Sequence, residues 1–140
     1  MRANDANLEG EESKILHKEL SYLLVGLCFS VHGTLGRFCR ERQYGDALES
    51  LLKERGIEYV REKSLPMEGI DNELTNKVDY IIGDKVILDL KAKDVVTKED
   101  YSQMQRYLRA GNCKLGIIVN FRSRHLVPKR VIYSGFSINP

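Results

Sequence analysis

Residues 78–93 read VDYIIGDKVILDLKAK, two runs of Val, Ile and Leu separated by Gly83, Asp84 and Lys85. β-Branched runs broken by Gly-Asp predict a hairpin of two strands. Strand side chains alternate between faces, so Ile87, Asp89 and Lys91 share one side while Val86, Leu88 and Leu90 share the other. On the preceding strand Asp79 and Ile81 oppose Val78, Tyr80 and Ile82. Each strand thus keeps an apolar face and carries charge on its other face.

The loop length decides what that charge can do. A loop of Gly83 to Lys85 pairs Ile82 with Val86 and sets Asp79 across from Asp89, with Cβ atoms about 5 Å apart. A shorter Gly-Asp turn pairs Asp79 with Leu88 and sends the acids to opposite faces, losing the apolar match. Patterning favours the longer loop. Opposed carboxylates repel unless a cation lies between them or one keeps its proton. A divalent ion relieves the conflict, and oxygen ligands select a hard one, Mg²⁺ or its common substitute Mn²⁺. Lys91, on the same face as Asp89, brings an ammonium that can orient or activate water or steady charge on a phosphorane. Together these groups describe phosphodiester hydrolysis. The same spacing also suits a solvated face with a cross-strand ion pair, so pattern alone leaves both readings open.

Outward from the hairpin the elements are periodic. Leu16, Leu20, Leu23, Leu24, Leu27, Cys28 and Val31 recur at helical spacing and predict a helix broken by HGTLG, residues 32–36. A second stripe of Tyr44, Leu48, Leu51 and Leu52 predicts a helix stopping at Gly56, with Tyr44 in the core. Glu41 lies three residues before Tyr44 and extends that stripe, an unusual place for a glutamate. From a helix N-terminus it can reach over the sheet as a third oxygen ligand, or simply serve the helix as a first-turn acid. IEYVREKSLP (57–66) reads as a strand and MEGIDNELTN (67–76) as a turn-rich connection. TKED (97–100) is a capping-box variant opening a helix to Gly111, on which Gln103 can face a cleft. KLGIIVNF (114–121) has the continuous apolarity of a strand buried on both faces, and RVIYSGF (130–136) reads as a last, exposed strand. This order predicts an α/β fold, a mixed sheet with a parallel pair attached to an antiparallel meander and helices on its faces.

A chain of 140 residues suits one domain, expected over 14–140 behind a polar tail at 1–13. Its 22 basic and 20 acidic residues leave a net charge of +2, so overall charge identifies no partner. Cys28, Cys39 and Cys113 lack the close pairs of zinc sites and are odd in number, which points to free thiols and a cytoplasmic setting. The N-terminus has no apolar leader, and the apolar YLLVGLCFSV (22–31) is too short to span a bilayer, so no membrane partner is expected. Basic residues gather before and after the hairpin. Arg37, Arg40 and Arg42 flank Glu41, while Arg122, Arg124, Lys129 and Arg130 lie in FRSRHLVPKR (121–130), two clusters suited to phosphates at the two ends of the site. Lys93 is expected as a further phosphate contact. His32 is expected to bond backbone carbonyls at a helix end.

LGRFCRERQYGDALESLLKERGI (35–57) resembles the segment that names the GxxExxY proteins, with Gly36, Glu41 and Tyr44 in register and Ala47-Leu48 and Gly56-Ile57 as landmarks. VDYIIGDKVILDLKA resembles that family's acid-containing hairpin, with the ten-residue step from Asp79 to Asp89 and Asp89-Leu90-Lys91 as its D/E-x-K element. SQMQRYL resembles its following helix, with Gln103 and Tyr107 aligned, and KLGIIVNF its next strand. The likeness covers roughly residues 15–132 and departs where the family's proline-glycine after Gly36 is Arg37-Phe38, where Lys77 replaces an arginine, and in a short loop from Pro66 to Lys77. That family belongs to the PD-(D/E)XK nuclease superfamily. The resemblance implies a restriction-endonuclease-like fold and a Mg²⁺-dependent nuclease acting on DNA or RNA. It implies Glu41, Asp79 and Asp89 as metal ligands, Lys91 as the catalytic lysine and Gln103 as an auxiliary residue. Small folds of this type often work in pairs, so a homodimer is compatible with it. The rival expectation is a nucleic-acid-binding or assembly module that keeps the scaffold without catalysis.

Overall fold

The computed structural model describes residues 16–66 and 77–135. The tail expected at 1–13 and the connection at 67–76 lie outside the described residues. The elements run α1 (Lys18–Leu35), α2 (Glu41–Glu54), β1 (Tyr59–Ser64), β2 (Lys77–Ile82), β3 (Val86–Lys91), α3 (Lys98–Gly111), β4 (Leu115–Asn120) and β5 (Lys129–Ile132). The strands form one five-stranded sheet in sequence order. β3 and β4 are parallel, while the other neighbours are antiparallel. This is the mixed sheet that the element order predicts.

The hairpin takes the longer loop. Ile82 faces Val86 and Ile81 faces Ile87 across Gly83–Lys85. Lys85 N–H donates to the Ile82 carbonyl at 2.9 Å. Gly83 and Asp84 both take left-handed backbone, φ 56° and 58°, the paired positive values that a twist-matched hairpin turn requires and that Gly-Asp supplies at little cost.

Alternation then sorts the core into two layers. Tyr80, Ile82, Val86, Leu88, Leu90, Ile117 and Val119 pack on Leu24, Leu27 and Val31 of α1 and on Tyr44, Leu48 and Leu52 of α2. On the reverse face Ile81, Ile87, Ile118 and Val131 pack on Met104, Tyr107 and Leu108 of α3. Every residue of β4 is buried, as a central parallel strand covered on both faces must be. Gly116 on that strand lies against Met104, where any Cβ would collide with the thioether, so α3 sits close over the sheet.

Two expectations are corrected. α1 does not break at HGTLG but continues to Leu35 and ends at Gly36, φ 79°. A single glycine in a helix costs only about 1 kcal/mol, so Gly33 cannot stop it. Val78 does not share a face with Tyr80 and Ile82 but joins the α3-side cluster. The β1–β2 register runs through Arg61↔Tyr80 and resumes at Lys63↔Val78, skipping Glu62 and Asp79, and Glu62 has φ 54°. The pleat is interrupted there, so alternation resets and Asp79 leaves the ladder.

Candidate active site

Because β3 and β4 are parallel, Lys91 and Asn120 end them side by side. The site gathers around that edge. Asp89 is 5 % exposed, and Asp79 lies on β2 at the position that the β1–β2 pairing skips. Asp79 Oδ2 accepts the Leu90 N–H at 2.7 Å. The two carboxyls stand close enough to share a proton, and burial, then repulsion from Asp89, push the Asp79 carboxyl up to about 8 although the Leu90 N–H pulls the other way. Asp89 Oδ2 lies 3.0 Å from Lys91 Nζ but receives no aligned hydrogen bond. The Lys91 ammonium is the positive charge beside that oxygen.

Lys91 turns its ammonium toward α3. Its Nζ donates to Gln103 Oε1 at 3.0 Å and stands 3.6 Å from Asp100 Oδ1. Burial works against its charge, yet Asp89, Asp100 and Glu41 outweigh burial and hold the ammonium above its usual range. Asp100 escaped the sequence reading, which gave it only a capping role. It does cap: Oδ2 accepts the Thr97 N–H at 2.7 Å. The same oxygen meets Lys93 Nζ at 2.6 Å, so the expected phosphate contact is engaged inside the protein. Burial opposes the Asp100 carboxylate, but the Lys93 hydrogen bond, the Thr97 N–H and Lys91 together keep it below the usual range. The available signal was an acidic helix start only seven residues beyond Lys93. Asn120 was also missed; buried at the end of β4, it accepts the Lys93 N–H at 3.1 Å and donates to the Lys93 carbonyl at 2.7 Å.

Glu41 is exposed and does not extend the buried stripe of Tyr44, Leu48 and Leu52. As the first residue of α2 it falls at the rim, where Oε2 accepts the Ala92 N–H at 3.2 Å. Its charge still reaches Asp79, adding to the upward push on that carboxyl. Glu41 and Asp79 line a cleft of about 320 Å³ together with Arg42 and Arg61. Among the described residues no group of three His, Cys, Asp or Glu stands close enough to hold a metal ion unaided. The donors nevertheless suit a hard cation. Mg²⁺ takes one or two carboxylates and fills its remaining positions with water and phosphate, and here buried Asp89 and half-buried Asp79 repel one another.

The basic residues are not two clusters at opposite ends. Arg37 Nε donates to the Arg122 carbonyl at 2.9 Å and Arg122 Nε to the Arg37 carbonyl at 2.7 Å, joining them in one clasp. Arg130 is absent from it, because its guanidinium bonds Ser21 Oγ and the Leu16 carbonyl, both at 2.9 Å, and ties α1 to β5. Arg40, Arg42 and Arg124 are exposed. Tyr44 packs in the core as expected, stacked on Phe121 at 4.3 Å with its hydroxyl donating to the Gly36 carbonyl. That stack, worth roughly 0.5–1.5 kcal/mol, anchors the start of α2 and hence Glu41. His32 Nε2 meets the Ser123 carbonyl at 2.9 Å. The three thiols are free, and no helix among the described residues is long and apolar enough to cross a membrane.

The family model of the PD-(D/E)XK nuclease superfamily matches residues 18–131. The five-stranded mixed sheet between helices is the restriction-endonuclease-like architecture of that superfamily. No curated protein and no solved structure gives a significant match.

Proposed function

The chain belongs to the PD-(D/E)XK nuclease superfamily, and from that membership we propose that it is a divalent-metal-dependent nuclease of the GxxExxY type, hydrolysing phosphodiester bonds of nucleic acid. The observation that carries the reading is the repelling pair of half-buried Asp79 and buried Asp89, with Lys91 Nζ 3.0 Å from Asp89 Oδ2. Asp79 and Asp89 would hold Mg²⁺ or Mn²⁺, with Glu41 the neighbouring carboxylate at the rim; the chemistry supplied there would be a lowered pKa for water and positive charge for the phosphate oxygens. Lys91, kept as an ammonium, is a hydrogen-bond donor for negative charge developing on the phosphorane rather than a proton acceptor. Gln103 and Asp100 hold that ammonium in place from α3. The rival reading, a nucleic-acid-binding module without catalysis, draws support from the lack of a three-ligand cluster among the described residues.

Cleavage separates the two. With Mg²⁺ or Mn²⁺, purified protein should cut labelled DNA or RNA strands, EDTA should stop it, and Lys91→Ala should slow it roughly 10²–10³-fold, the usual effect of losing one transition-state donor. Asp89→Ala should be at least as damaging. Cleavage that persists in both variants, or none from the wild type with either metal while binding is retained, overturns the nuclease reading.

A further inference from the structure

Phe38 stands in the loop between α1 and α2, three residues before Glu41, and is 76 % exposed. Around it the Arg37–Arg122 clasp is rigid: each Nε is fixed on the other residue's carbonyl, and Arg122 Nη2 also donates to the Cys39 carbonyl at 3.3 Å. Both guanidiniums lie against the ring, with the Arg37 and Arg122 Cζ atoms 4.9 and 5.7 Å from its centroid. Folding does not account for this arrangement. An exposed cation–π contact contributes little, and an apolar ring left in water contributes nothing to the core. The arrangement is instead a preordered π-surface carrying two fixed positive charges, with further guanidinium N–H groups beyond those that hold the clasp.

The clasp borders the candidate site. Arg122 follows β4, whose Asn120 is bonded to Lys93, and the Phe121 N–H donates to the Lys91 carbonyl at 2.8 Å. We propose that Phe38, flanked by Arg37 and Arg122, stacks an unpaired nucleobase of the strand presented to the catalytic edge. The strand's substrate class is therefore single-stranded or locally unpaired nucleic acid. This inference rests on the nucleic-acid reading of the site. Aromatic rings bind bases irrespective of sequence, and nearby cations take the flanking phosphates, whereas a base inside a duplex keeps both faces covered by its neighbours.

The test is fluorescence anisotropy in EDTA, where no cleavage competes, using a labelled mixed-sequence single strand, its duplex, and the same strand with abasic positions, in DNA and RNA forms. The wild type should prefer the intact single strand. Phe38→Ala should weaken that binding roughly 5- to 100-fold, Phe38→Trp should keep it, and the abasic strand should bind the wild type about as poorly as the intact strand binds Phe38→Ala. Phe38 is exposed, so an unchanged melting temperature should accompany the loss. Equal binding of intact and abasic strands by wild type and Phe38→Ala overturns the proposal. So does a Phe38→Ala protein that binds normally but sediments as monomer where the wild type is a dimer, which would make Phe38 a contact between copies. Lys91→Ala should retain base-dependent binding, so loss of cleavage and loss of stacking are read separately.

Discussion

The molecule holds two charged networks of similar make-up and different consequence. Arg61 on β1 meets Asp46 at 2.7 Å and Glu49 at 2.9 Å of α2, and Glu49 also accepts the Tyr59 hydroxyl at 2.6 Å. At the end of β3, Asp89 and Asp100 share Lys91, Asp100 also holds Lys93, and Asp79 stands beside Asp89. Both have more acids than bases, so charge count does not separate them. Burial does: Asp46 is 59 % exposed, whereas the side chains of Asp89 and Asp100 are 7 % and 8 % exposed. Water screens the surplus charge of the first network, and its acids are satisfied by donors. The second keeps its surplus largely out of water, with the Asp79 carboxyl pushed toward protonation. On the proposed nuclease reading this network is the one that takes up a cation, and the contrast in burial is what separates an ordinary ion pair from a candidate site.

The largest difference should appear on titration without metal. Asp79 has its folded pKa raised, to about 8 against the usual carboxyl value near 4. The unfolded chain therefore binds fewer protons than the folded one between those values, and stability, complete below about pH 4, is lost as pH rises through about 8. Metal-free protein should lose on the order of 2 kcal/mol or more between about pH 5 and pH 8.5, several degrees in melting temperature. Mg²⁺ should restore the loss at the alkaline end and do little at the acid end, because its ligands must first give up their proton. Asp89→Asn should flatten the metal-free profile by removing the repulsion. A wild-type profile that rises over this range, or that Asp89→Asn leaves unchanged, would place the two networks in the same class.

How much of this could be read from residues alone differs by element. The hairpin register was legible because a slip of one residue exposes a whole apolar face, so the Ile82–Val86 pairing follows from pattern, whereas the ladder stops at Tyr80↔Leu88 and does not pair Asp79 with Asp89. Gln103 beside Lys91 was legible as a helix position facing a cleft. Glu41 was legible as an acid at a helix N-terminus near the site but not as a rim residue, because spacing does not show whether that first turn packs on the sheet or overhangs it. Val78 changed face because Glu62 adopts a left-handed backbone, for which a glutamate gives no sequence signal. The Arg37–Arg122 clasp joins residues 85 apart in sequence and needed the parallel β3–β4 pair to bring its halves together. Asp100 carried two roles, and the local one concealed the other.

Asp100 gives a finer division within the buried network. Its carboxylate holds both lysines, so it is a positioning residue for Lys91. Asp100→Asn keeps the shape and an oxygen for the Thr97 N–H while removing the charge, and it should lower kcat roughly 10-fold with little change in KM. A merely structural role would instead lower the melting temperature without that split. Asp100→Glu, which restores the charge on a longer arm, should recover part of kcat.

The smallest effect belongs to the first network, and its smallness is informative. Asp46→Ala removes the shorter of the Arg61 contacts, but Glu49 remains at 2.9 Å and Asp46 is largely in water. The expected cost is below about 1 kcal/mol, shrinking further as salt is added. Arg61 also passes close against Gly45, whose carbonyl accepts the buried Tyr80 hydroxyl at 2.6 Å, so the guanidinium is held by packing as well as by charge. Cleavage and its metal dependence should therefore stay unchanged in Asp46→Ala, measured beside Asp100→Asn under the same conditions. If Asp46→Ala lowers kcat as much as Asp100→Asn does, Arg61 acts on the cleft it lines with Asp79, and burial alone no longer marks which charges serve chemistry.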